Sequence, residues 1–210
     1  MVSDPVLHPA TDSHRGALVW QWTTPMVALS SAPVGGGLQR PGWLVNIGVP
    51  SDYNRTDLAD HARETAAEIG LTGRGVGLFT AADVSQVCRN TLDGVAVDAT
   101  VGITKPTWAA DPTHSYTPWF PGTINLVVQL PVGLEHGAAV NAVITSTEAK
   151  TQALLESGVP GTGTASDAVA IVWPANATAE RFAGPRSAWG SRIAQATRAA
   201  ILSGVGGGSQ

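Results

Sequence analysis

The chain has 210 residues and a formal net charge of −4, and its 12 Lys and Arg residues are scattered along the sequence. This distribution provides no basic surface for a nucleic-acid backbone, so we expect no nucleic-acid partner. Hydrophobic residues make up 43% of the chain, enough for one sizeable core, and we predict a single domain. No apolar run approaches the length of about 18 residues that a membrane span requires.

Cys88 is the only cysteine, which rules out an intrachain disulfide and a thiolate metal cluster. The five histidines show no HxH or HExxH spacing, so no metal site and no cofactor are expected. The amino-terminal segment lacks a cationic start followed by an apolar run, and with the lone cysteine this predicts a cytoplasmic protein. Because so few charges must cover the surface, we expect a homodimer.

Six short runs rich in Val, Ile and Trp, bounded by Gly or Pro, predict β-strands. They are ALVWQW, WLVNIGVP, GVGLFT, GVAVDATVGI, TINLVVQL and AVAIVW. No helical stretch separates the fourth from the fifth, so strict alternation of strand and helix fails. The predicted fold class is α+β, with a mixed, largely antiparallel sheet packed by three or four helices.

The stretch RTDLADHARETAAEIG has the features of an amphipathic helix with recognisable ends. Thr56 or Asp57 is the predicted N-cap, and Gly70 is the predicted terminating glycine. A shorter helix is predicted over about residues 83–90.

Two longer alanine-rich stretches predict helices that pack on the sheet. The first, LEHGAAVNAVITSTEAKTQALLESG, ends at Gly158. The second, SAWGSRIAQATRAAILSG, begins after the N-cap Ser187 and ends at Gly204. We predict a flexible segment over residues 1–15, the folded domain over 16–204 and a flexible tail over 205–210.

A run of three glycines, Gly35, Gly36 and Gly37, follows Ser30 and Ser31 between two predicted strands. Glycine adopts positive φ and lets another group approach the backbone closely. The segment is therefore either a tight turn or part of a ligand site.

The most polar segment, GVPGTGTASD, joins the first long helix to the strand AVAIVW. It contains Thr162, Thr164, Ser166 and Asp167, whose small side chains suit a pocket for a polar ligand. It matches neither a Walker A loop nor a dinucleotide-binding fingerprint. The alternative is an ordinary helix-to-strand connection whose hydroxyls bond its own backbone.

A polar stripe on the first long helix is formed by Asn141, Thr145, Glu148 and Gln152, which are three or four residues apart. Glu148 is a candidate general base, and the nearby Lys150 is a candidate partner for a carboxylate. The alternative is a solvated helix face.

The long loop from Trp108 to Gly122 is rich in aromatic residues and proline, which favours a lid or binding loop. His114, beside Tyr116, is the histidine best placed for a site, although a histidine in such a loop is more often an ordinary surface residue.

Taken in order, several motifs resemble the adenosylcobinamide amidohydrolase family (CbiZ type) over residues 29–190. They are LSSAPVGGG, WLVNIGVP, GVGLFTAADV, ATVGITKPT, PGTINLVV, AVNAVITSTEAKTQALLESGVPGTGTASDAV and GPRSAWG. The resemblance implies hydrolysis of the amide that links the aminopropanol arm to the corrin ring of adenosylcobinamide, giving adenosylcobyric acid for coenzyme B12 salvage. The corrinoid is then the substrate rather than a cofactor. Two alternatives stay open, a corrinoid-binding module without catalysis and an amide hydrolase for a smaller substrate.

For amide hydrolysis we favour a water activated by Asp167 or Glu148, with Lys150 binding the developing negative charge. Backbone N–H groups of residues 35–37 or 161–164 are the expected oxyanion donors. The competing route is an acyl-enzyme on Ser166 or Thr164. The predicted substrate-binding residues are Ser30, Ser31, Gly35, Gly36, Gly37, Asn125, Thr162 and Thr164.

Overall fold

Twelve strands are formed within residues 2–112 and 122–207, the part of the chain that the computed structural model describes. They are Val6–His8 (β1), Ala17–Gln21 (β2), Met26–Ser30 (β3), Gly37–Gln39 (β4), Trp43–Gly48 (β5), Gly75–Thr80 (β6), Cys88–Leu92 (β7), Val95–Val101 (β8), Ile124–Gln129 (β9), Gly133–Leu134 (β10), Ala168–Pro174 (β11) and Ala179–Glu180 (β12). The same residues form three α-helices, Leu58–Ile69 (α1), His136–Glu156 (α2) and Ala188–Gly207 (α3).

The strands form two main sheets and one two-stranded ribbon. The four-stranded sheet has the order β1-β2-β5-β6, and the six-stranded sheet has the order β4-β3-β11-β9-β8-β7. Within them the pairs β5/β6 and β9/β11 are parallel and the other pairs are antiparallel. The α+β class and the mixed, largely antiparallel pairing are confirmed, whereas the sequence predicts one sheet and the described residues form two main sheets.

The two sheets stack face to face, and helices cover both outer faces. Alternating residues of β5 show this arrangement: Trp43, Val45 and Ile47 pack with α1, whereas Leu44 packs between the sheets. Strand β11 is likewise buried on both faces. Its residues alternate between the inter-sheet core and the core beneath α2 and α3. The order of layers is therefore α1, four-stranded sheet, six-stranded sheet, then α2 with α3.

Helix α1 begins and ends where the sequence predicts. Asp57 is its N-cap, and Gly70 terminates it with φ +82°. Helix α3 begins after Ser187, whose Oγ accepts a hydrogen bond from Gly190 N at 3.0 Å. It continues to Gly207, so the predicted end at Gly204 is wrong. A Cβ at Gly204 would lie 2.5 Å from Val101, so this glycine allows α3 to pack closely on β8.

The helix predicted over residues 83–90 is also wrong. A single 3-10 turn spans Val84–Gln86, and the following residues form β7, the edge strand of the six-stranded sheet. Asp93 and Gly94, with φ of +46° and +89°, form the two-residue turn that pairs β7 with β8.

Both chain ends contribute structure within the described residues. Strand β1, inside the segment predicted to be flexible, pairs with β2 from Val6↔Val19 to His8↔Ala17. Residues 205–207 form the last turn of α3. None of the described helices is long and apolar enough to cross a membrane.

Candidate functional site

A cavity of about 530 Å³ opens where strand ends of both sheets meet. Ser31 follows the end of β3, and Thr80 ends β6. Asn125 lies at the start of β9, and Ser166 and Asp167 immediately precede β11. All five residues line the cavity. The pairing of β11 with both β3 and β9 brings together residues that are far apart in the sequence.

The carboxylate of Asp167 lines the cavity and accepts four hydrogen bonds. Its Oδ1 accepts from Thr164 Oγ1 at 2.5 Å and from Ile124 N at 3.0 Å. Its Oδ2 accepts from Thr164 N at 3.2 Å and from the Lys150 ammonium. A carboxylate has about four lone-pair sites, so these donors occupy all of them. The carboxylate thereby fixes the loop before β11 and the side chain of Lys150.

Gly163 makes this arrangement possible. A Cβ at residue 163 would clash with the Asp167 carboxylate and would lie 2.5 Å from Lys150 Nζ. Because residue 163 has no side chain, the ion pair can lie directly against the backbone there.

The hydroxyl of Ser166, which lines the cavity, lies beside two other oxygen atoms. Ser166 Oγ is 2.7 Å from Thr123 Oγ1 and 3.2 Å from the backbone oxygen of Gly122. Because the carbonyl oxygen can only accept, Ser166 donates to Gly122 and accepts from Thr123.

The orientation of the Asn125 side chain is fixed by a chain of hydrogen bonds. Its Nδ2 donates to the Phe79 carbonyl at 2.9 Å and to Asn46 Oδ1 at 2.8 Å, and Asn46 Nδ2 donates to Thr100 Oγ1 at 3.0 Å. The Phe79 carbonyl accepts only, so the amide of Asn125 cannot be reversed. Its Oδ1 is buried and has no partner among the described residues. Such an atom is costly unless a ligand or water donates to it.

Ser30 and Ser31 have different positions relative to the cavity. Ser31 lines it, and its Oγ accepts from Val169 N at 3.0 Å. Ser30 is buried, and its Oγ accepts from Ala32 N at 2.9 Å.

A cluster of charges lies at the mouth of the cavity. The Arg55 guanidinium contacts Asp57 at 2.7 Å and Glu64 at 2.8 Å. Hydrogen bonds from Arg55 lower the pKa of Asp57 to about 2 and lower the pKa of Glu64. Two carboxylates therefore neutralise Arg55, which leaves the mouth without an unpaired cation from this side chain.

Several predicted site residues lie away from the cavity. Glu148 is exposed on α2, while Thr162 bonds to Thr107 through its backbone N at 2.9 Å and its Oγ1 at 3.3 Å. The N–H groups of Gly161 and Thr162 donate to backbone carbonyls and that of Thr164 to Asp167, so none of these three is free for an oxyanion.

The glycine run also lies outside the cavity lining. Gly35 has φ +66°, and a Cβ there would clash with the carbonyl oxygen of Gly75. A Cβ at Gly36 would clash with the carbonyl oxygen of Ala32. The group that approaches this backbone closely is therefore another part of the chain.

The predicted lid falls largely outside the described residues. His114 and Tyr116 belong to residues 113–121, and Trp108 is exposed at the start of the loop. Among the described residues, no group of three His, Cys, Asp or Glu side chains is placed to hold a metal ion.

The family model for adenosylcobinamide amidohydrolase matches residues 5–207, nearly the whole chain. The chain belongs to this family. The adenosylcobinamide amidohydrolases are hydrolases that act on an amide, and the family assignment makes this protein an enzyme of that class.

Two relatives carry the family name. The adenosylcobinamide amidohydrolase of Methanosarcina mazei is 28% identical over 184 residues, which cover 83% of this chain and 88% of that protein. The adenosylcobinamide amidohydrolase of Halobacterium salinarum is 31% identical over 204 residues, covering 93% and 84%.

One solved structure has a fold similar to that of this chain. The crystal structure of the PH0078 protein from Pyrococcus horikoshii OT3 superposes with a TM-score of 0.51 at 10% identity. The superposition covers 97% of this chain and 82% of the PH0078 chain. At this identity the likeness concerns the fold alone.

The cavity of this family member also contains side chains that no sequence motif indicates. Tyr53, Arg55 and Phe79 all line it, and His61 lies directly behind Tyr53. No spacing motif connects Tyr53 with His61, because the contact depends on how α1 packs against the four-stranded sheet. The only sequence signal is a tyrosine placed just after a buried strand and before a helix that contains a histidine.

Proposed function

We propose that the protein hydrolyses the amide that joins the aminopropanol arm to the corrin ring of adenosylcobinamide, releasing aminopropanol and adenosylcobyric acid. The observation that carries the proposal is the family match over residues 5–207. The cavity, which gathers Ser31, Asn125, Ser166 and Asp167, is consistent with it. The product would re-enter coenzyme B12 synthesis in the cytoplasm, which makes the reaction a salvage step.

The size and chemistry of the cavity support an amide-bearing arm as the bound group. A volume of about 530 Å³ is within the range of small-molecule sites. It would hold the arm and one edge of the corrin, with the rest of the ring at the mouth. Asn125 Oδ1, an acceptor without a partner among the described residues, matches the N–H of an amide.

In this proposal Asp167 and Lys150 organise the site rather than activate water. All four acceptor positions of the Asp167 carboxylate are filled, so a water molecule would have to displace an existing donor. Glu148 is exposed on α2 and does not line the cavity. We therefore assign neither carboxylate the role of general base.

Direct attack by water is favoured over an acyl-enzyme on Ser166 or Thr164. Thr164 Oγ1 donates its proton to Asp167, and Ser166 donates to the Gly122 carbonyl. The Gly122 carbonyl cannot take a proton from Ser166, and Thr164, whose hydroxyl donates to the Asp167 carboxylate, does not line the cavity. Water attack adds one solvent oxygen to the new carboxylate of adenosylcobyric acid.

The test is incubation of purified protein with adenosylcobinamide, with and without EDTA, in H₂¹⁸O. Mass spectrometry should find aminopropanol and adenosylcobyric acid in equal amounts, with one ¹⁸O in the acid. Hydroxylamine should yield no hydroxamate, because that product would indicate an acyl-enzyme. Absence of both products, despite a shift of the corrinoid absorption spectrum on mixing, would replace the proposal with a non-catalytic binding module.

A further inference from the structure

Tyr53 and His61 form a hydrogen-bonded pair at the wall of the cavity. Tyr53 lies in the segment between β5 and α1, and its hydroxyl is 2.7 Å from His61 Nδ1. His61 Nε2 is 3.0 Å from the backbone oxygen of Ser13. The Ser13 carbonyl only accepts, so Nε2 carries the ring proton and Nδ1 is the acceptor. The Tyr53 hydroxyl must therefore donate to His61.

Packing holds this pair in one orientation. His61 is only 1% exposed, on the face of α1 that covers the four-stranded sheet. The rings of Tyr53, His61 and Phe79 contact one another with centroid distances of 5.5 to 6.1 Å. Burial raises the pKa of Tyr53, so its hydroxyl is protonated near neutral pH.

No charged neighbour in the described part of the chain competes with Tyr53 for His61 Nδ1. Asp57 and Glu64 are acidic residues that interact electrostatically with His61, but Arg55 forms ion pairs with both of them. His14 also lies near His61, but its Nδ1 accepts from Gly16 N at 3.1 Å. The imidazole nitrogen of His61 is thus reached from the cavity only through Tyr53 among the described residues.

We infer that Tyr53 is the catalytic acid and base of the amide hydrolysis and that His61 is the positioning residue that exchanges a proton with it. This inference rests on the proposed function. Among the described residues no better base faces the amide, because the Asp167 carboxylate already accepts four hydrogen bonds and Glu148 lies outside the cavity. The Tyr53 oxygen has a remaining lone pair to accept a proton from water.

The proton transfers balance over the cycle. As water attacks the carbonyl carbon, one of its protons moves to the Tyr53 oxygen and the Tyr53 proton moves to His61 Nδ1. The imidazolium formed donates from both nitrogens, to Tyr53 and to the Ser13 carbonyl. When the C–N bond breaks, the proton returns from His61 to Tyr53, and Tyr53 protonates the leaving amine nitrogen. The relay ends in its starting state.

The test compares Tyr53→Phe and His61→Asn with the wild-type enzyme on adenosylcobinamide. Phenylalanine keeps the ring contacts but removes the oxygen. Asparagine keeps an oxygen near the Nδ1 position that accepts from Tyr53 but takes no proton. Each variant should lower kcat by about 100-fold or more and change KM by less than about threefold. The double variant should be no slower than the slower single variant, because the two residues act as a unit.

His136→Asn, at the exposed start of α2, is the matched control and should keep wild-type kcat. Thermal unfolding shows whether each variant is folded. If the variant at the buried His61 is unstable, the variant at the half-buried Tyr53 still tests the relay. A folded Tyr53→Phe variant with wild-type kcat would overturn the relay alone. A His61→Asn variant with wild-type kcat beside an inactive Tyr53→Phe variant would overturn the role of His61. A wild-type protein without any hydrolysis would instead overturn the proposed function and the relay with it.

Discussion

The Lys150 ammonium and the Asp167 carboxylate form a largely buried ion pair that joins helix α2 to the loop before β11. Their side chains are 7% and 13% exposed, so neither charge is well solvated. Asp167 in turn holds Thr164 and the backbone of Ile124. The pair therefore connects the helical layer to the edge of the six-stranded sheet at which the cavity opens.

Removing one partner of this ion pair should destabilise the fold. Lys150→Met leaves a buried carboxylate without its cation, which costs about 3 kcal/mol or more in the free energy of unfolding. The double variant Lys150→Met/Asp167→Asn should lose less than the sum of the two single losses. Urea unfolding measures these differences.

The control is Arg198→Met, which removes the partner of Glu156 in an exposed pair at 2.5 Å. Exposed pairs contribute less than about 1 kcal/mol. Equal losses in the free energy of unfolding for Lys150→Met and Arg198→Met would show that burial does not make the Lys150 pair more stabilising than an exposed pair.

Gly163→Ala should disturb the same pair without changing any charge. The added methyl group would clash with the Asp167 carboxylate, and the carboxylate would have to move away from Lys150 or Thr164. We expect a lower thermal midpoint together with a lower kcat on adenosylcobinamide. Gly137→Ala is the control, because its Cβ would meet no atom within 4 Å. An unchanged kcat and midpoint for Gly163→Ala would contradict the tight approach at residue 163.

The sequence predicts α1 and six of the twelve described strands, β2, β5, β6, β8, β9 and β11, because their signals are local. Gly70 ends α1 with a positive φ, and Asp57 occupies the N-cap position, although its side chain binds Arg55 and makes no capping hydrogen bond. The Asp93-Gly94 pair is an equally local signal for a hairpin, and its presence argues against the helix predicted over residues 83–90. The division into two sheets is not local, because apolar runs do not specify which strand they pair with.

The positions of Glu148 and Lys150 likewise depend on packing that the sequence does not specify. The two residues are two positions apart on α2, so the helix directs them about 200° apart. Lys150 is buried against Asp167, whereas Glu148 is exposed. The helix is rich in alanine on several faces, so composition alone does not show which face packs on the sheet.

Asn125→Asp should weaken substrate binding. An aspartate carboxylate cannot donate to Asn46 Oδ1 or to the Phe79 carbonyl, so it would face two oxygens and lose its fixed orientation. We expect KM for adenosylcobinamide, or its Kd measured from the absorption shift, to rise by about tenfold or more. Asn176→Asp, on an exposed turn, is the control and should bind like the wild type. Unchanged affinity for Asn125→Asp would remove Asn125 from the predicted substrate-binding residues.

Gly35→Ala should affect stability rather than substrate binding. Alanine at φ +66° is strained, and its Cβ would clash with the carbonyl oxygen of Gly75, so we expect a loss of about 1–3 kcal/mol in the free energy of unfolding. Because Gly35 does not line the cavity, KM of the folded fraction should equal that of the wild type. Gly184→Ala, where the Cβ meets no atom within 4 Å, controls for the loss of glycine itself. A raised KM with unchanged stability would instead show that the glycine run contacts the corrinoid, as a ligand site in this segment requires.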